Sequence, residues 1–67
     1  MTSKLVGNII VLSQKPKKDI YNGLWIDYKR PKEPATNLSC CNINKGQTKY
    51  PLPANINPRD VRRIFFK

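Results

Sequence analysis

This 67-residue sequence predicts a mostly β domain of four or five short antiparallel strands with a short C-terminal helix. Three observations predict it. A β-branched apolar run occupies residues 4–13 (KLVGNIIVLS). Gly, Pro and Asn turn signals recur along the chain. An Asn-Pro helix start lies near the C-terminus. At this length a single domain, residues 1–67, is expected.

Residues 4–13 read as one strand. Leu5, Ile9 and Val11 fall on one face, and Val6, Ile10 and Leu12 on the other. Apolar residues on both faces are the pattern of a central strand. Residues 14–19 (QKPKKD) form a basic turn around Pro16. Residues 20–30 (IYNGLWIDYKR) contain Asn22-Gly23, a strong hairpin signal. They form either a tight hairpin, Asp19–Tyr21 against Leu24–Ile26, or one long strand with a bulge at Gly23. Either way Leu24, Ile26 and Tyr28 share one face, and Trp25, Asp27 and Lys29 the other.

Residues 31–37 (PKEPATN) carry two prolines and are expected as an exposed loop. Residues 38–43 (LSCCNI) read as a strand, joined through the hairpin loop Asn44-Lys45-Gly46 to a return strand over 47–52. Gly46 is expected in the left-handed conformation, and Pro51 confines the return strand to an edge. Asn57 then serves as an N-cap, with Pro58 at the first helical position. Val61, Ile64 and Phe65 follow at helical spacing. A final strand from Val61 to Phe66 is the competing expectation. The strand count fits a small open sheet or an SH3-like or OB-like barrel; an α+β arrangement is the alternative.

Composition narrows function. Thirteen Lys and Arg against four acids give a net charge of +9. Self-repulsion of this size costs stability, so it points to an anionic partner. There is no His, which removes the commonest general acid–base group and metal ligand. Asp19, Asp27, Glu33 and Asp60 are scattered rather than paired, and the three glycines build no phosphate loop. A non-enzymatic protein without metal or cofactor is therefore expected. Residues 5–12 are too short to span a membrane and lack a signal-peptide cleavage site. Adjacent Cys40 and Cys41 read as two reduced thiols on a strand, one facing inward and one outward. That fits a cytoplasmic, reducing compartment.

The cations form four clusters: Lys15, Lys17 and Lys18; Lys29, Arg30 and Lys32; Lys45 and Lys49; and Arg59, Arg62, Arg63 and Lys67. Three of the four fall at turns or termini, free to reach phosphates. If the C-terminus is helical, Arg59, Arg62 and Arg63 share one flank. Tyr21, Tyr28 and Tyr50 are the candidate base-stacking residues, with Trp25 assigned to the core. Phe65 and Phe66 cannot both point inward from a strand, so one is a candidate protein anchor. The leading expectation is nucleic-acid binding, RNA or DNA, through phosphate contacts. The alternative is a small phage- or virus-type regulator docking on an acidic surface of a larger host protein. A third is an assembly subunit or a homodimer burying Phe65 and Phe66.

Overall fold

The computed structural model describes residues 2–67. The strands are β1 (Ser3–Val6), β2 (Ile9–Leu12), β3 (Ile20–Tyr28), β4 (Thr36–Ile43), β5 (Lys49–Pro51) and β6 (Val61–Phe66), with one 3₁₀ turn at Pro58–Asp60. They form two antiparallel three-stranded sheets, ordered β1-β2-β5 and β4-β3-β6. The expected small β domain is present. The sheets do not close into a barrel, and no C-terminal α-helix forms.

The run at 4–13 is a hairpin rather than one strand. Gly7 takes a φ of +60° at the first central position of a two-residue turn, the chemistry of a type II′ connection. The pairing Val6↔Ile9 and Leu5↔Ile10 follows. The turn also re-sorts the faces. Leu5, Ile10 and Leu12 point toward the core, whereas Val6, Ile9 and Val11 lie on the outer face.

One core joins the two sheets. Ile10 and Leu12 come from β2, Tyr50 from β5, Leu24 and Ile26 from β3, and Ile43 from β4. Leu52 and Ile56, from the segment before the 3₁₀ turn, complete it. Full burial of each such aliphatic side chain contributes roughly 1.5–3 kcal/mol. Leu5, Leu38, Val61, Ile64 and Phe66 extend the cluster at its margins.

Irregular registers recur in the β4-β3-β6 sheet. At Asn22-Gly23, β3 continues as one strand, with a register shift between Ile20 and Leu24. Asn22 takes a φ of 50°, and Gly23 is buried against Ile20. Asn44-Lys45-Gly46 does not join paired strands, because β4 and β5 belong to different sheets. Gly46 nevertheless has the left-handed φ of +80°.

At the C-terminus the cap forms as expected: the Asn57 side chain accepts from the Arg59 N–H at 3.0 Å and Pro58 follows. The helix stops after one turn because Val61–Phe66 pairs with the open edge of β3. Ladder pairing satisfies backbone groups that a two-turn helix leaves orphaned. The helical spacing of Val61 and Ile64 comes from a register shift. Val61 pairs with Tyr28 and Arg63 with Asp27, leaving Arg62 as the extra residue. Both apolar side chains therefore reach the core side.

Candidate nucleic-acid interface

The outer face of the β4-β3-β6 sheet gathers aromatic and cationic groups. Leu24 and Ile26 are buried, so alternation along β3 turns Trp25 and Asp27 outward, and the exposed Lys29 follows the end of the strand. On β6, Ile64 and Phe66 pack toward the core, leaving Arg63 and Phe65 outside. The exposed Lys67 continues that alternation, its backbone N–H donating to the Gly23 carbonyl at 2.9 Å. Register places Trp25 between Ser39 and Phe65, and Asp27 between Asn37 and Arg63.

These neighbours touch. The Trp25 and Phe65 rings stack with centroids 6.1 Å apart and planes 23° from parallel. The Arg63 guanidinium lies 4.7 Å from the Phe65 centroid, within cation–π range. Its Nε also sits 3.8 Å from Asp27 Oδ2. Trp25 Nε1 donates to the Asn22 carbonyl at 2.6 Å, which fixes the indole against the strand irregularity. Trp25 and Phe65 are half-buried: held on one side and open on the other.

A second basic surface forms where two loops meet. The Gly46 N–H donates to the Pro16 carbonyl at 2.9 Å, and the Lys45 N–H donates to Asp19 Oδ1 at 2.7 Å. Pro16 is buried between two exposed lysines. Lys15, Lys17, Lys18 and Lys45, scattered over 31 positions of sequence, thus belong to one cluster of loops. The sequence reading missed a third feature: register aligns Lys4, Val11 and Lys49 across the outer face of the β1-β2-β5 sheet.

The remaining candidates divide. Arg59 and Arg62 are exposed, but on the 3₁₀ turn and the β6 irregularity rather than on one helix flank. Lys32 is exposed in the 31–35 loop with a φ of 67°. Arg30 is structurally engaged: it lies 5.1 Å from the Tyr28 ring centroid, donates to the Asn55 carbonyl at 2.8 Å and sits 3.8 Å from Glu33. Tyr21 is 76% exposed, and Tyr28 is half-buried beneath Arg30.

Tyr50 is not a stacking surface. It is only 2% exposed, because its register position opposite Ile10 turns it inward. Its hydroxyl donates to the Gln47 carbonyl at 2.9 Å and accepts from the Asn44 N–H at 3.1 Å, satisfying a phenol that would otherwise be costly to bury. Trp25, conversely, leaves the core for the outer face. Phe66 is drawn against the core, so only Phe65 of the terminal pair faces out.

Cys40 and Cys41 do not splay to opposite faces. The pairing Leu24↔Cys41 and Trp25↔Ser39 leaves Cys40 as the extra residue, and both side chains pack at the core margin. Cys41 Sγ donates to Cys40 Sγ at 3.5 Å, and Cys40 Sγ to the Pro51 carbonyl at 3.6 Å. Burial raises the Cys40 thiol from 9.0 to about 12, aided by the hydrogen bond and charge of Cys41. Burial also raises Cys41, against the opposing effect of its hydrogen bond to Cys40. Neither is an activated nucleophile.

Among the described residues no cluster of three or more His, Cys, Asp or Glu could hold a metal ion, and no helix is long and apolar enough to cross a membrane. No protein-family model, no curated protein and no solved structure matches this chain.

Proposed function

We propose that this protein binds single-stranded nucleic acid on the outer face of the β4-β3-β6 sheet. The observation that carries the proposal is the Trp25–Phe65 stack with Arg63 over Phe65. A fixed aromatic pair offers a π-surface to any base, and stacking of this kind is sequence-tolerant. Arg63 and Lys67 flank Phe65 along β6, and with Lys29 beyond the end of β3 they supply charge to neutralise the phosphates of a strand lying across the pair. The loop lysines Lys15, Lys17, Lys18 and Lys45 extend the positive field and speed association. Duplex recognition by an inserted helix has no support in this fold, which presents sheet faces and turns.

Trp25 is the only Trp, so its fluorescence reports directly on the site. Labelled single-stranded and duplex oligonucleotides are titrated with the protein at several salt concentrations, following anisotropy and Trp emission together. Single-strand binding with quenched emission is expected. Neutralising about five phosphates gives a slope of roughly −3.5 in log K against log salt. Unchanged Trp emission, or binding already lost near physiological salt, refutes the proposal and turns the search to an acidic protein partner.

A further inference from the structure

We propose that Cys40 and Cys41 form a dithiol site that captures one soft, thiophilic centre of the trivalent-arsenic class between their two sulfurs. Two adjacent residues of a regular strand point to opposite faces and cannot share a ligand. Here the extra residue in β4 breaks that alternation and leaves the sulfurs 3.5 Å apart. A single atom bonded to two thiolates spans a similar gap: metal–sulfur bonds of about 2.3 Å at a tetrahedral angle separate the sulfurs by roughly 3.8 Å. Soft sulfur ligands select soft centres, and no His or carboxylate joins them to build a harder site.

Chelation also suits this pair better than a disulfide. Adjacent Cα atoms lie about 3.8 Å apart across a trans peptide, below the roughly 4.4 Å lower limit for disulfide-bonded residues. The site is half-buried at the margin of the fold, so a small reagent can reach it. An arsenoso group, R–As=O, reacts with the two thiols to give R–As(S)₂ and one water. Two S–H bonds and the As=O bond break, two As–S bonds form, and the thiol protons leave with the oxygen. No electron is transferred. Because Cys40 Sγ donates to the Pro51 carbonyl, capture also removes a contact between β4 and the end of β5.

The test uses phenylarsine oxide on the intact protein. Mass spectrometry is expected to show one adduct per chain, with both thiols lost to a thiol-titrating reagent. A small dithiol restores them and a monothiol at the same concentration does not. Cys40→Ser and Cys41→Ser each leave a single thiol and are expected to bind at least about 100-fold more weakly, the usual gain from joining two contacts. Circular dichroism of each variant verifies folding. Cys41→Ala provides a second single-thiol protein should a serine variant unfold. Two adducts per chain, thiols that stay titratable, or a folded single-thiol variant binding as tightly as the parent overturns the proposal.

Discussion

The Asp19 carboxylate accepts a hydrogen bond from the backbone N–H of Lys45, 2.7 Å away and 26 residues along the chain. It ties the loop carrying Lys15, Lys17 and Lys18 to the loop carrying Lys45. Beside it, the Gly46 N–H donates to the Pro16 carbonyl. One carboxylate thus helps hold together the backbones of two loops that carry four mutually repelling cations. Replacing Asp19 by Ala is expected to lower stability by about 1 kcal/mol, the usual net value of such a bond at an exposed site. Asp19→Asn keeps an acceptor and should lose less. Urea unfolding of the three proteins checks the order. Equal midpoints for Asp19→Ala and the parent would show that the bond does not organise the loops.

Tyr50 holds the neighbouring stretch from beneath. Its hydroxyl accepts from the Asn44 N–H and donates to the Gln47 carbonyl while its ring fills the core. Tyr50→Phe keeps the ring and strips both partners of their bond, so a loss of about 1–3 kcal/mol is expected. Oligonucleotide affinity, measured where the variant is folded, should stay within about twofold, because the ring never faces the ligand. A much larger loss of affinity would restore Tyr50 to the binding surface.

Gly23 is a packing requirement. A Cβ there would lie 2.8 Å from Ile20 Cγ2, 2.9 Å from Ile20 Cβ and 3.0 Å from the Ile20 carbonyl oxygen. Two of these atoms are backbone or adjoin it and cannot swing away. Gly23→Ala is expected to cost about 1–3 kcal/mol through overpacking. Gly7→Ala meets no atom within 4 Å, yet must hold a φ of +60°, so its cost is conformational strain alone. Thermal unfolding of both variants measures each cost, and an unchanged midpoint for Gly23→Ala would show that the strand absorbs the added Cβ.

These glycines also show how far the fold was legible in the sequence. Turn chemistry is local, and Gly46 takes the left-handed conformation its loop predicts. The Asn57-Pro58 cap is local too, and it forms. Gly7-Asn8 is an equally valid two-residue turn signal, but it was hidden inside a continuous apolar run that also fits a central strand. The other departures share one physical origin. Extra residues at Asn22-Gly23, Cys40 and Arg62 each shift a register, the single ones at Cys40 and Arg62 also breaking the period of two, and only the partner strand determines where they fall. The shift at Arg62 made a strand resemble a helix. The one at Cys40 brought together two thiols expected to diverge. The aromatic face was legible only in part: alternation separates Trp25 from Leu24 and Ile26, but the partnership with Phe65 depends on β6 pairing with β3.

Alkaline pH should weaken the fold through Cys40. Its thiol titrates near 12 when folded and near 9.0 otherwise, so between those values the folded protein holds a proton that the unfolded chain has lost. Stability from this group is complete below pH 9 and declines as pH rises toward 12. Other effects of alkaline solution act on the parent and on a Cys40 variant alike. The informative quantity is therefore the difference between the parent and Cys40→Ser. The parent is expected to lose more of its urea midpoint between pH 8 and pH 11 than the variant does. Parallel losses would mean that the thiol is not protected by the fold.

The stacking and phosphate contacts proposed for the β4-β3-β6 face separate by their response to salt. Trp25→Ala removes a stacking surface but no charge. It should cost roughly 1–3 kcal/mol of oligonucleotide binding while leaving the salt slope unchanged. Lys67→Ala removes one cation beside the pair and should lower the slope by about 0.7, with a loss of affinity that shrinks as salt rises. Arg63→Ala should do both, because the guanidinium proposed to meet phosphate also braces Phe65. It frees Asp27 as well, placing an unpaired carboxylate on the face. Its effect should therefore exceed that of Lys67→Ala at every salt concentration. Anisotropy titrations of the three variants at four salt concentrations read out slope and intercept together. If Trp25→Ala changes the slope but not the affinity extrapolated to high salt, Trp25 acts only by shaping the charged surface, and the bases do not stack on it.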